Sequence, residues 1–435
     1  MPPATDVSPD PGHGPQRAPD RAFRAGVIWN LASTAVLALS GFLLLSLLGN
    51  LHGAAGYGIF AQVWAPYVIF GQLAVGGLDR SVLRALAESE RSRSERAPLV
   101  WGAVLPGLAS SALFALGFHL GRHLIAAWYR SPEVAEGVAA AAPGLFFFGA
   151  NKILLGVVNG LRRMRAFAVY QSLRYALMPV GALVADALGM PAERASFLFT
   201  FAEGILFAIL AVELLAQVAL PGRGWIGHVR AHVAYGLRSL ASGVLLEVNS
   251  RVDVWMLGRS TTNLAVGVYG TALQVAEGVF QILIALQNNY NPLLARHLAL
   301  RRHAELERMV RHGGRRTFLL MGAVSVAAVA AFPLVLQLLF RSDEFSASWS
   351  PFVLLMAGIW LSSMRMPFFQ LLLMAGRPGW HSLFMLAVVG VNVVANALLI
   401  PPLGIEGAAL ATALSFVSSV VLLRGLSRRL IGVRL

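Results

Sequence analysis

Apolar and polar positions along this chain are segregated into long blocks. From Gly26 onward, apolar stretches follow one another, each bounded by a short polar segment, at approximately 26–48, 57–78, 99–120, 134–160, 166–189, 195–219, 238–258, 265–290, 317–339, 351–374, 381–401 and 405–424. About 20 residues is the length an α-helix needs to cross the hydrocarbon core of a bilayer. The pattern therefore predicts twelve membrane-spanning helices, an even number that returns the chain to the side on which it starts. Residues 1 to about 20 stand apart, rich in Pro, Gly and Asp with no apolar periodicity, and read as a disordered tail. The first apolar block is too long for a signal-peptide core and no soluble domain follows it, so it reads as a retained helix.

Charge orients the predicted bundle, because cytoplasmic loops retain Lys and Arg. With the N-terminus inside, 26 of the 35 Lys and Arg residues fall in cytoplasmic segments and five (Arg122, Arg130, Arg194, Arg259 and Arg341) fall outside. One missed span would invert every later loop and destroy that asymmetry. Both termini are thus expected in the cytoplasm. The longest connections, around 80–98, 221–238 and 291–316, lie on the same side. The last of them reads as an amphipathic surface helix. Outer turns are only a few residues each, which argues against a membrane glycan polymerase or ligase whose catalytic groups would occupy a sizeable outer loop.

Composition adds exclusions. Of 435 residues, 57% are hydrophobic and only 13% charged, against roughly 25% charged in soluble domains. The net charge of +14 lies in short runs between apolar blocks and not on a folded basic surface, so no nucleic-acid partner is expected. The absence of Cys removes disulfides, thiolate metal sites and Cys nucleophiles. No Walker P-loop, HExxH or G-x-S-x-G occurs, and the His residues form no metal spacing. The chain is expected to be no enzyme and to hold no cofactor.

Sliding the chain against itself gives an internal match at an offset of 212: Tyr57, Gly58, Gln62, Val63, Arg84, Leu86 and Ala87 meet Tyr269, Gly270, Gln274, Val275, Arg296, Leu298 and Ala299. Span two is thereby equated with span eight. Six helices separate the copies, so the halves keep the same orientation and form parallel repeats. The expected organisation is a cytoplasmic tail (1–24), a first six-helix bundle (25–220), a linker (221–237) and a second bundle (238–435). Two such bundles enclose a central cavity that opens alternately to either side, the geometry of a transporter.

Ionisable groups at bilayer depth cost at least a few kcal/mol, so they usually face water or one another. Lys152, the only Lys, and Arg365 lie in corresponding spans of the two halves, each about three helical turns from its cytoplasmic turn. With Arg174 they suggest an anion site in the cavity, suited to a phosphate or acidic sugar. The competing reading is that each is neutralised locally or reaches the interface. Glu247 and Arg251, spaced i, i+4, read as a structural ion pair. Asp253, Glu203 and Glu277 have no such neighbour and are candidates for binding a coupling cation or proton.

Several motifs carry a family resemblance. Gly56-Tyr57-Gly58-Ile59-Phe60 followed by Gly76-Gly77-Leu78-Asp79 and Arg84, Asp253 through Gly258 with Val268-Tyr269 and Asn291-Pro292, and Asn392 through Ser415 with Asn396, Ile400-Pro401, Gly404 and Gly407-Ala408-Ala409 are similar to bacterial polysaccharide flippases of the O-antigen and exopolysaccharide type. These belong to the multidrug/oligosaccharidyl-lipid/polysaccharide exporter superfamily. The resemblance covers nearly the whole chain after residue 25. It implies translocation of an undecaprenyl-diphosphate-linked oligosaccharide across the bacterial inner membrane for surface polysaccharide assembly. It further implies a basic cavity, coupling to H+ or Na+, and as partners the lipid-linked substrate, membrane lipids and other polysaccharide-assembly membrane proteins. A cation-coupled multidrug exporter of the same superfamily is the alternative, with an acidic or apolar cavity; twelve spans fall short of the fourteen of peptidoglycan-precursor flippases.

Overall fold

Two glycines fold the chain back on itself at its two ends. In the computed structural model, which describes residues 21–88 and 92–433, α1 (Arg21–Val75) is broken at Gly53 (φ 69, ψ −176) and α13 (Pro378–Leu430) at Gly404 (φ 57, ψ −125). Only a residue without a Cβ adopts those angles readily. Each long helix is therefore a pair of spans, and the predicted boundaries near 48–57 and 401–405 fall on the breaks. Residues 1–20 of the expected tail lie outside the described residues.

Between these ends run α2 (Leu78–Ala87), α3 (Arg93–Leu120), α4 (Arg122–Tyr129), α5 (Glu133–Gly160), α6 (Met164–Ala187), α7 (Phe197–Gln217), α8 (Trp225–Ser260), α9 (Asn263–Ala299), α10 (His303–Leu339), α11 (Trp349–Ser362) and α12 (Leu371–Met374). No strand occurs among the described residues. Among the described residues, eight helices are long and apolar enough to cross a membrane, α1 and α13 among them. Counting each of those two as a pair gives ten spans. The polar α6 and α8, which carry Arg174, Glu247, Arg251 and Asp253, complete twelve.

The turns divide between two faces. On one, Asn50 donates to Leu339 O (2.7 Å), Ala54 N to Glu344 Oε2 (3.1 Å), Asn263 Nδ2 to Ser131 Oγ (3.0 Å) and Ser350 to Glu406 (2.6 Å). The sparse arginines Arg122, Arg130, Arg194, Arg259 and Arg341 flank these turns. On the other, Trp101 donates to Ala219 O (2.8 Å) and Asn291 to Gln370 Oε1 (2.9 Å); this face carries the arginine-rich segments.

Three sequence expectations change. The loop after the third span contains α4, whose Trp128 and Tyr129 pack on Trp255 of α8, so that outer connection is longer than a simple turn. From Trp225 on, the expected linker is the beginning of α8. Segment 291–316 is not a surface helix but the continuation of α9 and α10 past the bilayer. Its Leu294, Leu306 and Val310 are buried against Leu371, Phe384 and Leu423, contacts an interfacial helix would lack.

The repeat-related spans meet in space. The second arm of α1 crosses α9 at Gly58 and Gly267, where a Cβ on Gly58 would stand 1.8 Å from Asn263 O and one on Gly267 1.8 Å from Ala54 O. Backbones approach this closely only through small residues, the usual way membrane helices gain van der Waals contact. Within the first half, Phe60, Trp64 and Tyr67 stack on Phe199 at centroid distances of 5.3, 4.8 and 4.5 Å, locking α1 to α7.

Candidate functional site

Below the Gly58–Gly267 crossing the helices splay. A cavity of about 750 Å³ opens between α8, α9, α11 and α13, with Arg80 of α2 at its edge. From Asp253 to Arg238 along α8 it extends about 22 Å at 1.5 Å per residue. Its deep end lies at mid-membrane and its mouth on the arginine-rich face, while the opposite face is sealed by the crossing.

The wall is polar for a membrane interior. α9 turns a stripe of Glu277, Gln281 and Asn288 inward, joined by Asn249 of α8, Gln287, Gln370 and Asn392. Amides both donate and accept hydrogen bonds, which suits hydroxyl-rich ligands. The charged lining residues are Arg80, Arg238 and Arg251 with Glu247, Asp253 and Glu277. The cavity is thus balanced in charge, and the expectation of a basic cavity is corrected.

At the deep end Asp253 is 2% exposed. Its Oδ1 accepts from Val254 N (2.8 Å), and its Oδ2 accepts from the Tyr269 hydroxyl and from Thr412 Oγ1 (3.4 Å). Nearby on α13, Asn396 donates to Asn392 Oδ1 (2.8 Å) while its own Oδ1 is buried without a partner. No cluster of three or more His, Cys, Asp or Glu with metal-binding geometry occurs among the described residues.

The three cations read as one anion site do not converge on the cavity. Arg174 is 4% exposed and forms an ion pair with Glu203, Nε to Oε1 2.9 Å, with Nη2 donating to Oε2 at 3.1 Å. Asn151 donates to the same carboxylate (2.8 Å). Arg174 and the coupling candidate Glu203 therefore satisfy each other between α6 and α7. Lys152 donates to Gln72 Oε1 (3.0 Å) and sits 5.3 Å from the centre of the Phe148 ring, which Arg174 also approaches at 5.0 Å. Arg365 is displaced because Pro367 breaks span ten into a 3-10 turn over Met366–Phe368. Its guanidinium reaches Met364 O (3.3 Å) and covers Gly314, near Arg424 at the end of α13.

The proposed pair Glu247–Arg251 is also replaced. Arg251 Nη1 lies 3.4 Å from Glu277 Oε1 across to α9, and Glu247 faces the cavity, with Lys152 among its charged neighbours. Asp253 and Glu277 are the two coupling candidates that do line the cavity.

The sequence model of the polysaccharide biosynthesis protein family matches residues 23–296, well over half of the chain. The chain belongs to that family. No curated protein matches it in sequence. Among solved structures, the chain is similar in fold to the lipid II flippase MurJ in an inward closed conformation, with 12% identity, TM-score 0.76 and coverage of 92% of this chain and 87% of that one. An inward-facing multidrug resistance MATE family transporter of the MOP superfamily gives 14% identity, TM-score 0.73 and coverage of 93% and 98%. An outward-facing MATE family transporter gives 15% identity, TM-score 0.54 and coverage of 92% of each chain. The chain is a multi-pass membrane protein of the transporter and flippase fold.

Sequence reasoning missed the amide stripe of this family member and the cavity roles of Arg80 and Arg238. Glu277, Gln281 and Asn288 recur at helical spacing, a polar face inside an apolar block that was visible in principle. The two arginines stand at span ends and were absorbed into the topology count.

Proposed function

We propose that the protein is a flippase that moves polyprenyl-diphosphate-linked oligosaccharides across the bacterial inner membrane by alternating access, supplying surface polysaccharide assembly. The observation that carries this reading is the set of six amide side chains, Asn249, Gln281, Gln287, Asn288, Gln370 and Asn392, in a cavity open to one face. A cavity of several hundred Å³ with convergent polar groups is a normal size for a ligand site, and amides are apt partners for sugar hydroxyls. The arginine-rich mouth faces the cytoplasm on the positive-inside rule, so substrate enters from the leaflet where it is made, and both termini are cytoplasmic.

Translocation is coupled to H+ or Na+ at Asp253. The carboxylate, the Thr412 hydroxyl and the Asn392 amide offer oxygen ligands, and an intramembrane carboxylate is a common proton or cation carrier. Deleting the gene in its host should abolish surface polysaccharide and leave lipid-linked repeat units in the inner leaflet; normal polysaccharide in the deletion strain would reject the function. The three carboxylates Glu247, Asp253 and Glu277 favour a second reading, export of cationic drugs, which predicts hypersensitivity of the deletion strain to such compounds.

A further inference from the structure

Two phenylalanines interrupt the polar wall of the cavity. Phe280 of α9 and Phe416 of α13 stack with ring centroids 5.4 Å apart and planes 12° from parallel; both line the cavity and both are half-buried. Phe280 follows Glu277 by three residues and Phe416 follows Thr412 by four, so the ring pair lies about one helical turn toward the mouth from the level of Asp253. On α8, Asn249 stands four residues from Asp253 and reaches the same level. Its backbone carbonyl accepts from Asn392 Nδ2 (3.4 Å), while its side-chain Oδ1 is buried with no hydrogen-bond partner, an acceptor left for a ligand. Aromatic surface beside open amides suits a sugar ring, whose C–H face lies on the rings while its hydroxyls meet the amides.

Charge around these rings is negative. Arg251 is the one lining cation in the deep half, set against Glu247, Asp253 and Glu277, and its Nη1 is taken up by Glu277 at 3.4 Å. Arg238 stands nine residues from Glu247 along α8, about 13.5 Å nearer the mouth. Glu247 faces the cavity and forms no ion pair among the described residues. Its charged neighbour Lys152 donates to Gln72 instead and does not line the cavity. A carboxylate here accepts hydrogen bonds from sugar hydroxyls, but an acidic sugar would bring a second negative charge against it away from bulk water, where like charges are strongly disfavoured. We infer that the cavity selects uncharged sugars over acidic ones, with Phe280 and Phe416 as the platform for the sugar ring and Glu247 as the residue that rejects a uronic acid. The inference rests on the flippase reading and specifies its glycan. An acidic sugar, the ligand expected of Lys152, Arg174 and Arg365, does not fit this wall.

The test uses the purified full-length protein in proteoliposomes with two fluorescent short-chain polyprenyl-diphosphate disaccharides that differ only in the terminal sugar, glucose or glucuronic acid. The parent should flip the glucose probe roughly tenfold faster than the glucuronic acid probe or more, the effect of like-charge rejection. Glu247→Gln should narrow that ratio several-fold by admitting the acidic probe. Phe416→Leu keeps an apolar side chain without the ring and should slow the glucose probe several-fold, whereas Phe416→Trp should restore it. A parent that flips the acidic probe as fast as the glucose probe overturns the inference and leaves the flippase reading standing. A ratio unchanged in Glu247→Gln overturns the role of Glu247, and full activity in Phe416→Leu overturns that of the ring pair. Flipping of neither probe by the parent rejects the flippase reading and the inference with it.

Discussion

Arg251 Nη1 and Glu277 Oε1 stand 3.4 Å apart, tying α8 to α9 in the deep half of the cavity. Their side chains are 18% and 31% exposed, between the exposed pairs worth about 0–1 kcal/mol and the buried pairs whose breakage costs about 3–5 kcal/mol. A double-mutant cycle of Arg251→Gln with Glu277→Gln, read by denaturant unfolding, should give a coupling of about 1–2 kcal/mol. The same cycle with Glu247→Gln should give much less. A larger coupling to Glu247 would restore the local i, i+4 pair.

The Arg174–Glu203 pair is sealed from the cavity, and its prediction concerns stability. Arg174→Met or Glu203→Gln alone leaves a buried charge and should cost about 3–5 kcal/mol, seen as a lower melting temperature. Arg174→Met with Glu203→Met should recover most of the loss and retain transport. Loss of transport by a stable double variant would return these residues to the substrate path.

The Gly58–Gly267 crossing closes the face opposite the cavity mouth. Gly58→Ala places a Cβ 1.8 Å from the Asn263 carbonyl oxygen, and overpacking of about 1–3 kcal/mol should shift the population toward the outward-open state. The chain has no Cys, so a single Cys at Gln281 can be labelled without background. An impermeant maleimide added from the cytoplasmic side should label it in the parent, and from the opposite side more readily in the Gly58→Ala variant. Unchanged sidedness would show that the crossing is not the gate.

His232 lies in the first turns of α8, outside the bilayer segment. Its Nε2 is 3.0 Å from Leu99 O, which can only accept, so Nε2 carries the proton and Nδ1 accepts from Ser81 Oγ at 2.8 Å. Burial holds its pKa below the usual value of 6.5. The unfolded chain therefore binds the extra proton first, and the contribution of His232 to stability is complete above pH 6.5 and declines as pH falls toward the folded-state pKa. Thermal stability should drop as pH falls below 6.5, and His232→Gln should flatten that dependence.

How much of this was legible in sequence follows from range. The twelve spans and the parallel repeat are written in blocks of local hydropathy and short motifs, and the turns at Gly53 and Gly404 fall between predicted spans. The charge pairings are not local. Arg174 finds Glu203 from another helix, Lys152 finds Gln72 eighty positions away, and Arg251 prefers Glu277 to its own-helix neighbour. Counting 1.5 Å per residue sets the expected depth of Arg365, a rule that fails once Pro367 turns the segment into a 3-10 helix. Distances along one helix set depth, but only tertiary packing decides which charge meets which.

The most direct measurement of the account is flipping in proteoliposomes containing the purified protein and a short-chain polyprenyl-diphosphate-linked disaccharide with a fluorescent tag on the sugar. With an impermeant quencher outside and an imposed H+ or Na+ gradient, the parent protein should expose the inner-leaflet half of the probe, and Asp253→Asn should remove the response to the gradient. Quenching that stops at the outer-leaflet fraction, as in protein-free liposomes, would contradict the account.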